Sequence, residues 1–563
     1  MKQFSYILTI LIGLTLFSCT DTPKNVDELT AIGGKKYGGE FRFMSYENIK
    51  SLASISSSDQ YSSRLVTQIY EPILRINMTS MNVIPGIAES YEVSDDAKVY
   101  TLKIRKGITF HKNDCFGKKL HELDAEDVKF SLEMACSQLE LNKISYLLVN
   151  RIEGAQEFFD NSTKTLPKEG VSGIKKIDNY TIQITLNEPF AGFDKILTHP
   201  SLGIFPKEAF TKYGNDFGLH PVGTGPFQLE SFTDEKIVLR RNNHYWKKDD
   251  FGNQLPFLSK VVMTYAVDKQ SEFLAFRNAE VDLVLEIPVE EVEHILGTLK
   301  EAQDGLNVKH KVESESSMSI HYIGMALESE EFSDINVRKA FNLAINRNLI
   351  VDTYLEGEGF ASLHGIVPEM GDYPINKVKG FKYNAEKAKY LMTKAGFSNR
   401  NIFPEIDFYI TGVKGSKNDR LAKAIQKQLK ENLNVKLNII RCTLAERDEA
   451  VKNGSAKLWL GGWLADYPDP ENFLSLLYKN NNFNFNNERF FMCYDKSIVE
   501  SDDKKRNELY VECDQIIVDE AAIIPVYTDD YTIMVNARVR EFVINELEIL
   551  ELTNVFIKEA KKK

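Results

Sequence analysis

Trp463-Leu464-Ala465-Asp466-Tyr467-Pro468-Asp469-Pro470-Glu471-Asn472-Phe473 is the stretch on which the reading of this chain turns. Its three carboxylates, Asp466, Asp469 and Glu471, fall within six residues, so a divalent-cation site has to be weighed first. Pro468 and Pro470 interrupt the run, and the glycine-bearing twelve-residue pattern of a calcium loop is missing, so no metal is expected here. Asp469 and Glu471 suit the start of a helix near Asn472 instead, where free amides and the helix dipole favour negative side chains.

Outward from this stretch the chain alternates between two periodicities. Residues 37–43, 100–104 and 180–186 repeat every second residue, as half-buried strands do. Residues 124–132 open with Asp124, a helix-capping residue, and carry acids in the first turn. Residues 337–346 and 420–433 place apolar side chains three and four apart, which is a helical stripe facing a core. The result is an α/β chain. At 563 residues it exceeds the size at which one core keeps growing, so more than one packed lobe is expected. No solenoid-length repeat and no long Gly, Pro or Ser tract occurs, so the connections between lobes are short crossings. The Gly223-Thr224-Gly225-Pro226 segment lacks the Gly-Lys-Ser/Thr of a phosphate cradle and reads as a tight turn joining strands.

The first residues, MKQFSYILTILIGLTLFSCT, pair a lysine at position 2 with an apolar run ending near Phe17. This is a targeting peptide, too short for the ~20 residues that cross a bilayer. Five further cysteines, Cys115, Cys136, Cys442, Cys493 and Cys513, form no close pairs. Cys115 with Cys136 and Cys493 with Cys513 are conceivable bridges, but buried free thiols are the preferred reading. A net charge of −12 argues against nucleic acid as a partner, and Lys561-Lys562-Lys563 reads as a solvated end. Neither a His-Glu-x-x-His nor a Gly-x-Ser-x-Gly pattern is present, and His111, His121 and His244 sit in scaffold-like segments, so no catalytic residue is nominated.

Taken in order, several segments resemble the family 5 extracellular solute-binding proteins, the group that includes oligopeptide and dipeptide receptors of ABC importers. They are residues 100–111 followed by 124–132; Pro221-Val222-Gly223-Thr224-Gly225-Pro226-Phe227 with Leu239-Arg240-Arg241-Asn242 and Tyr245-Trp246; residues 337–347; and the stretch beginning at Trp463. Leu16-Phe17-Ser18-Cys19 likewise resembles the lipobox of bacterial lipoproteins, which implies a signal peptide over 1–18 and a lipid on Cys19. The resemblance spans about residues 37 to 530. It implies a two-lobed periplasmic-binding-protein-like fold of class II, large type, with a subdomain inserted in lobe I. On that pattern the tether runs over 19–36, the lobe I base over 37–80, 195–270 and 527–563, the insertion over 81–194, and lobe II over 271–526.

The same resemblance assigns Asp466 a role, because in peptide-binding members the aspartate of Trp-x-x-Asp holds the ligand's α-ammonium group. A carboxylate facing a dry cleft needs a cationic partner, and such a charge-assisted bond contributes on the order of 1.5–3 kcal/mol. The competing reading pairs Asp466 with an Arg or Lys of the chain itself. Trp459 and Trp463 flank Gly461-Gly462, so indole faces and open backbone are expected along the same cleft. The candidate ligand-lining set is therefore Asp466, Trp463, Trp459, Leu464, Ala465 and Tyr467. Peptide-binding relatives carry Leu-Asp-Pro after the first strand where this chain has Ser51-Leu52-Ala53-Ser54-Ile55-Ser56, and Glu71 reads equally as structural or ligand-facing. The expected function is capture of a peptide by lobe closure and delivery to an ABC permease, by a monomeric, non-enzymatic, lipid-anchored receptor without cofactor or metal, facing the periplasm or cell surface. A sugar oligomer or metal chelate on the same fold is the runner-up, and a secreted hydrolase or an envelope chaperone are the rivals from other classes.

Overall fold

Strands buried on both faces need cover on both sides, and three neighbouring strands of the largest sheet, Ile523–Thr528, Ser319–Met325 and the first part of Leu458–Leu464, are such runs. Its order is Phe360–Ala361, Ile523–Thr528, Ser319–Met325, Leu458–Leu464, Ile406–Thr411 and Leu437–Cys442. Ile406–Thr411 pairs in parallel with Leu437–Cys442, which requires a crossover; the helix Lys417–Leu433 supplies it and turns Leu421, Ala422, Ile425 and Leu429 inward. The computed structural model describes residues 30–285, 310–355, 357, 359–398 and 400–558. The leader, Cys19 and the closing lysines lie outside the described residues. Among those described, no helix is long and apolar enough to cross a membrane.

A second body holds two four-stranded sheets. One runs Glu40–Ser45, Lys260–Tyr265, Lys236–Arg241, Phe227–Phe232, and the other, antiparallel, runs Ala88–Val93, Val99–Ile104, Thr181–Thr185, Ile174–Asp178. Phe41, Phe43, Tyr100, Leu102, Ile184 and Phe205 share one core beneath them. Helix Ala125–Ala135 begins where Asp124 and Asp127 cap each other's backbone amides. The periodicities thus place these elements to within a few residues, as they do for the helices Ile335–Ala344 and Lys417–Leu433.

Three expectations need correction. The tether is shorter than residues 19–36: Ala31 is buried, Asn253 binds both backbone polar groups of Ile32, and Lys35 pairs with Glu541, so residues from 30 onward belong to the folded body. The boundary at 271 is also early. Helix Lys269–Arg277 and strands Leu283–Val284 and His310–Ser316 join Asp530–Asn536 on the second body, the one that holds Glu40–Ser45, because Asp282 is gripped by Arg42 and Arg538. The described chain therefore passes between the bodies at residues 316–319 and 528–530. Ser317 donates its amide to the Asp529 carbonyl at 3.0 Å, and the amide of Asp529 donates to Ser319 Oγ at 3.0 Å, lacing the two crossings together. The preferred reading of the cysteines agrees with the structure: all five described are free thiols, of which Cys136, Cys493 and Cys513 are buried.

Finally, Gly223-Thr224-Gly225-Pro226 does not join two strands. It leads from the short 3-10 helix Gly214–Leu219 into strand Phe227–Phe232 and lies against the end of helix Gln60–Ile69, where Gly225 donates its amide to the Ile69 carbonyl at 2.9 Å. A Cβ on Gly223 would fall 2.1 Å from that same oxygen. Gly223→Ala is expected to lower stability by about 1–3 kcal/mol, seen as a lower urea midpoint at unchanged slope.

His111 closes the same turn. Its Nδ1 accepts the Gly223 amide at 3.4 Å and its Nε2 donates to the Gly225 carbonyl at 2.9 Å, an arrangement only the neutral ring satisfies. Burial accordingly pushes its pKa down to about 4. The fold favours the unprotonated form, so this contribution is complete above the unfolded value near 6.5 and is lost as pH falls from there towards 4, on the order of 3 kcal/mol in all. Ring nitrogen shifts of His111 followed by NMR are expected to show no titration above about pH 5.

Candidate ligand-binding site

Strand Leu458–Leu464 is buried as far as Gly461, then emerges: Gly462 is exposed and Trp463 and Leu464 are half-buried. Trp463 and Asp466 therefore stand where the central strand leaves the core of its lobe. Asn472, in the one-turn helix Glu471–Leu474 and itself buried, fixes both. Its Oδ1 accepts the Trp463 indole N–H at 2.8 Å and the Asp466 amide at 3.1 Å, and its Nδ2 donates to Asp466 Oδ2 at 3.3 Å. The opposite lobe supplies two more groups. The Tyr146 hydroxyl donates to Asp466 Oδ1 at 3.0 Å, and His199 Nε2 lies 3.8 Å from the same oxygen.

Neither group neutralises the carboxylate. Burial holds the His199 imidazole below its ordinary pKa, against the opposing pull of Asp466, so the ring is uncharged at neutral pH. Its Nδ1 accepts the Ser201 amide at 3.2 Å, which leaves the proton on the Nε2 that faces Asp466. Among the described residues no Lys or Arg lies within 4.0 Å of Asp466. The two neighbouring acids are different. Asp469 takes Lys195 Nζ at 2.6 Å and caps the amide of Glu471 at 2.9 Å. Glu471 takes Arg151 at 3.2 Å and the hydroxyls of Tyr467 and Tyr494. The three carboxylates thus diverge to separate partners and do not share a cage.

The structure divides the six candidate lining residues. Asp466, Trp463 and Leu464 are partly accessible. Trp459 is not at the cleft: its ring is buried, lies 5.3 Å from Phe483, and fills the space that Gly324 leaves on the paired strand, where a Cβ would meet it at 2.1 Å. Gly461 makes the reciprocal concession to Tyr322, so Gly461 serves packing, while Gly462 beyond it is exposed. Tyr467 is likewise enclosed, its hydroxyl spent on Glu471, and Ala465 is buried with its amide on the Met318 carbonyl. Glu71 is structural, buried and accepting from Thr224, Tyr245 and Trp246. Ser54 is buried too and donates to the Gly203 carbonyl, so the serine-rich segment offers the cleft no charge there. Asn472, Tyr146 and His199 were not foreseen as site residues. The last two come from distant segments with no local pattern to betray them.

A family model described as bacterial extracellular solute-binding proteins, family 5 Middle, matches residues 82–485. The chain belongs to this family. Its members are binding proteins and not enzymes, so the site of this family 5 solute-binding protein holds its ligand without turning it over. The heme-binding protein A of Haemophilus influenzae is 28% identical over 474 residues, covering 82% of this chain and 81% of that protein. The dipeptide-binding protein of Escherichia coli is 27% identical over 507 residues, covering 87% and 89%. Among solved structures, the periplasmic binding protein DppA from Helicobacter pylori in complex with the peptide STSA superposes with a TM-score of 0.74 at 23% identity, over 93% of this chain and 99% of that one. The two-lobed class II fold is thereby shared.

The placement of the indoles gives a spectroscopic expectation. Ligand-induced change in tryptophan fluorescence should survive Trp459→Phe and disappear in Trp463→Phe, because only the second ring is held beside Asp466.

Proposed function

We propose that this family 5 solute-binding protein captures short peptides between its lobes and delivers them to an ABC permease. The observation that carries the reading is the Asp466 carboxylate, set at the lobe junction between Asn472 on one side and Tyr146 and His199 on the other, with its charge unmatched among the described residues. An α-ammonium group matches that charge and donates three hydrogen bonds, while Trp463 offers a ring face beside it. Contact with both lobes makes binding favour the closed arrangement. Relatives named for dipeptides and di/tripeptides support the cargo class.

On this reading the chain is exported by residues 1–18, carries a lipid on Cys19, and works as a monomer anchored in the cell envelope, facing the periplasm or the cell surface. The lobe I base comprises the segments about 37–80, 195–270 and 527–563, now with residues 30–36, 271–285 and 310–316 attached, around an insertion over 81–194. Lobe II takes the chain from the first crossing to the second.

Isothermal titration with a free dipeptide or tripeptide and its N-acetylated twin tests the anchor. Blocking the amine, or Asp466→Asn, is expected to weaken binding roughly 10- to 150-fold, the equivalent of about 1.5–3 kcal/mol. Equal affinity for free and blocked peptides removes the ammonium anchor and points to the non-peptide cargo carried by other relatives, such as the heme-binding protein.

A further inference from the structure

A second convergence of polar side chains uses none of the groups that meet Asp466. His121 lies in the loop ahead of helix Ala125–Ala135, Asp127 in the first turn of that helix, and Glu208 in the first turn of helix Lys207–Tyr213. One donor atom from each falls within 4.8 Å of the others. Phe116 stacks on the His121 ring at 4.7 Å and Phe110 lies 5.8 Å from it, so the imidazole is held in place by packing.

Within the described chain the Asp127 carboxylate meets one basic group, His121. Asp127 is only 5% exposed, yet its carboxylate accepts nothing among the described residues but the Asp124 amide of its own capping box, at 3.0 Å to Oδ2. The Glu208 side chain is exposed and makes no hydrogen bond or ion pair among the described residues. His121 Nε2 stands 3.4 Å from Asp127 Oδ2. Two ligands on a tetrahedral zinc-class ion, each ~2.0–2.2 Å from the metal, lie ~3.4 Å apart, which is this spacing. Among the described residues no Lys or Arg lies within 4.0 Å of the buried Asp127 carboxylate or of exposed Glu208, so a cation joining them offsets the cost of burying the Asp127 charge.

We propose that His121, Asp127 and Glu208 form a binding site for a divalent transition-metal ion of the zinc class. The donor set of one imidazole and two carboxylates favours such an ion over calcium or magnesium, which prefer all-oxygen surroundings. Because the three ligands come from a loop and two helices far apart in sequence, the ion clamps the inserted subdomain to the helix Lys207–Tyr213 of the lobe I base. The site is structural and separate from cargo capture.

The test is titration of purified, chelator-stripped protein with zinc chloride, followed by calorimetry and by thermal unfolding. One zinc per chain and a rise in the unfolding midpoint with Zn2+ but not Mg2+ are expected. His121→Gln and Glu208→Gln, both at solvent-reachable positions, should each weaken zinc at least tenfold with unchanged circular dichroism. Unchanged zinc affinity in these variants, or equal response to Ca2+ and Zn2+, overturns the proposal. Should a variant fail to fold, the wild-type midpoint decides: no zinc-dependent rise also overturns it.

Discussion

Asp529 lies on one of the two crossings between the lobes and ties that crossing to the other. Its backbone exchanges hydrogen bonds with Ser317 and Ser319, and its carboxylate takes His321 Nε2 at 2.5 Å and Lys417 Nζ at 3.0 Å. Burial alone would raise its pKa, but the His321 and Lys417 charges hold it well below the usual carboxylate range. His321 stacks flat on Tyr527 at 4.3 Å, so the pin is walled by an aromatic ring as well. Everything at the cleft depends on this anchorage, because Tyr146 and His199 reach Asp466 only if the lobes are hung at a defined separation.

Within one short segment the chain treats three acids in two ways. Asp469 and Glu471 are fully buried and each holds a cation, Lys195 and Arg151 respectively. Removing a buried charge from water is tolerable only with such partners. Asp466, partly exposed, stands beside an uncharged imidazole and a phenol, with no Lys or Arg within 4.0 Å among the described residues. The rigid frame made by Asn472 holds the unmatched carboxylate in one orientation, which reduces the ordering cost of any cation that meets it.

Much of this was legible from residues 463–473, since the motif, its order among the other segments and the flanking periodicities give the fold and single out Asp466. The indoles show where sequence stops. Trp459 and Trp463 are four apart on one strand, hence on the same face, and alternation cannot separate them. Phe483 covers one, and the other lies past the point where the strand leaves the core. Tyr146 and His199 were illegible for a related reason: their partnership with Asp466 exists only after some 300 residues of chain have folded back. The boundary near 271 rested on the family pattern alone, and no local signal in residues 269–285 or 310–316 separates the lobes; the contacts of Asp282 with its two arginines, made only in the folded chain, assign them to the lobe before.

The unbridged thiols carry a consequence for where this architecture can be assembled. Cys136, Cys493 and Cys513 are buried among apolar neighbours in cores that are complete without covalent staples. Burial raises the Cys513 and Cys136 pKa values far enough to keep both as neutral thiols. A receptor built this way needs no oxidant or isomerase to mature, and its lobes retain their shape in reducing, oxygen-poor surroundings as readily as in air.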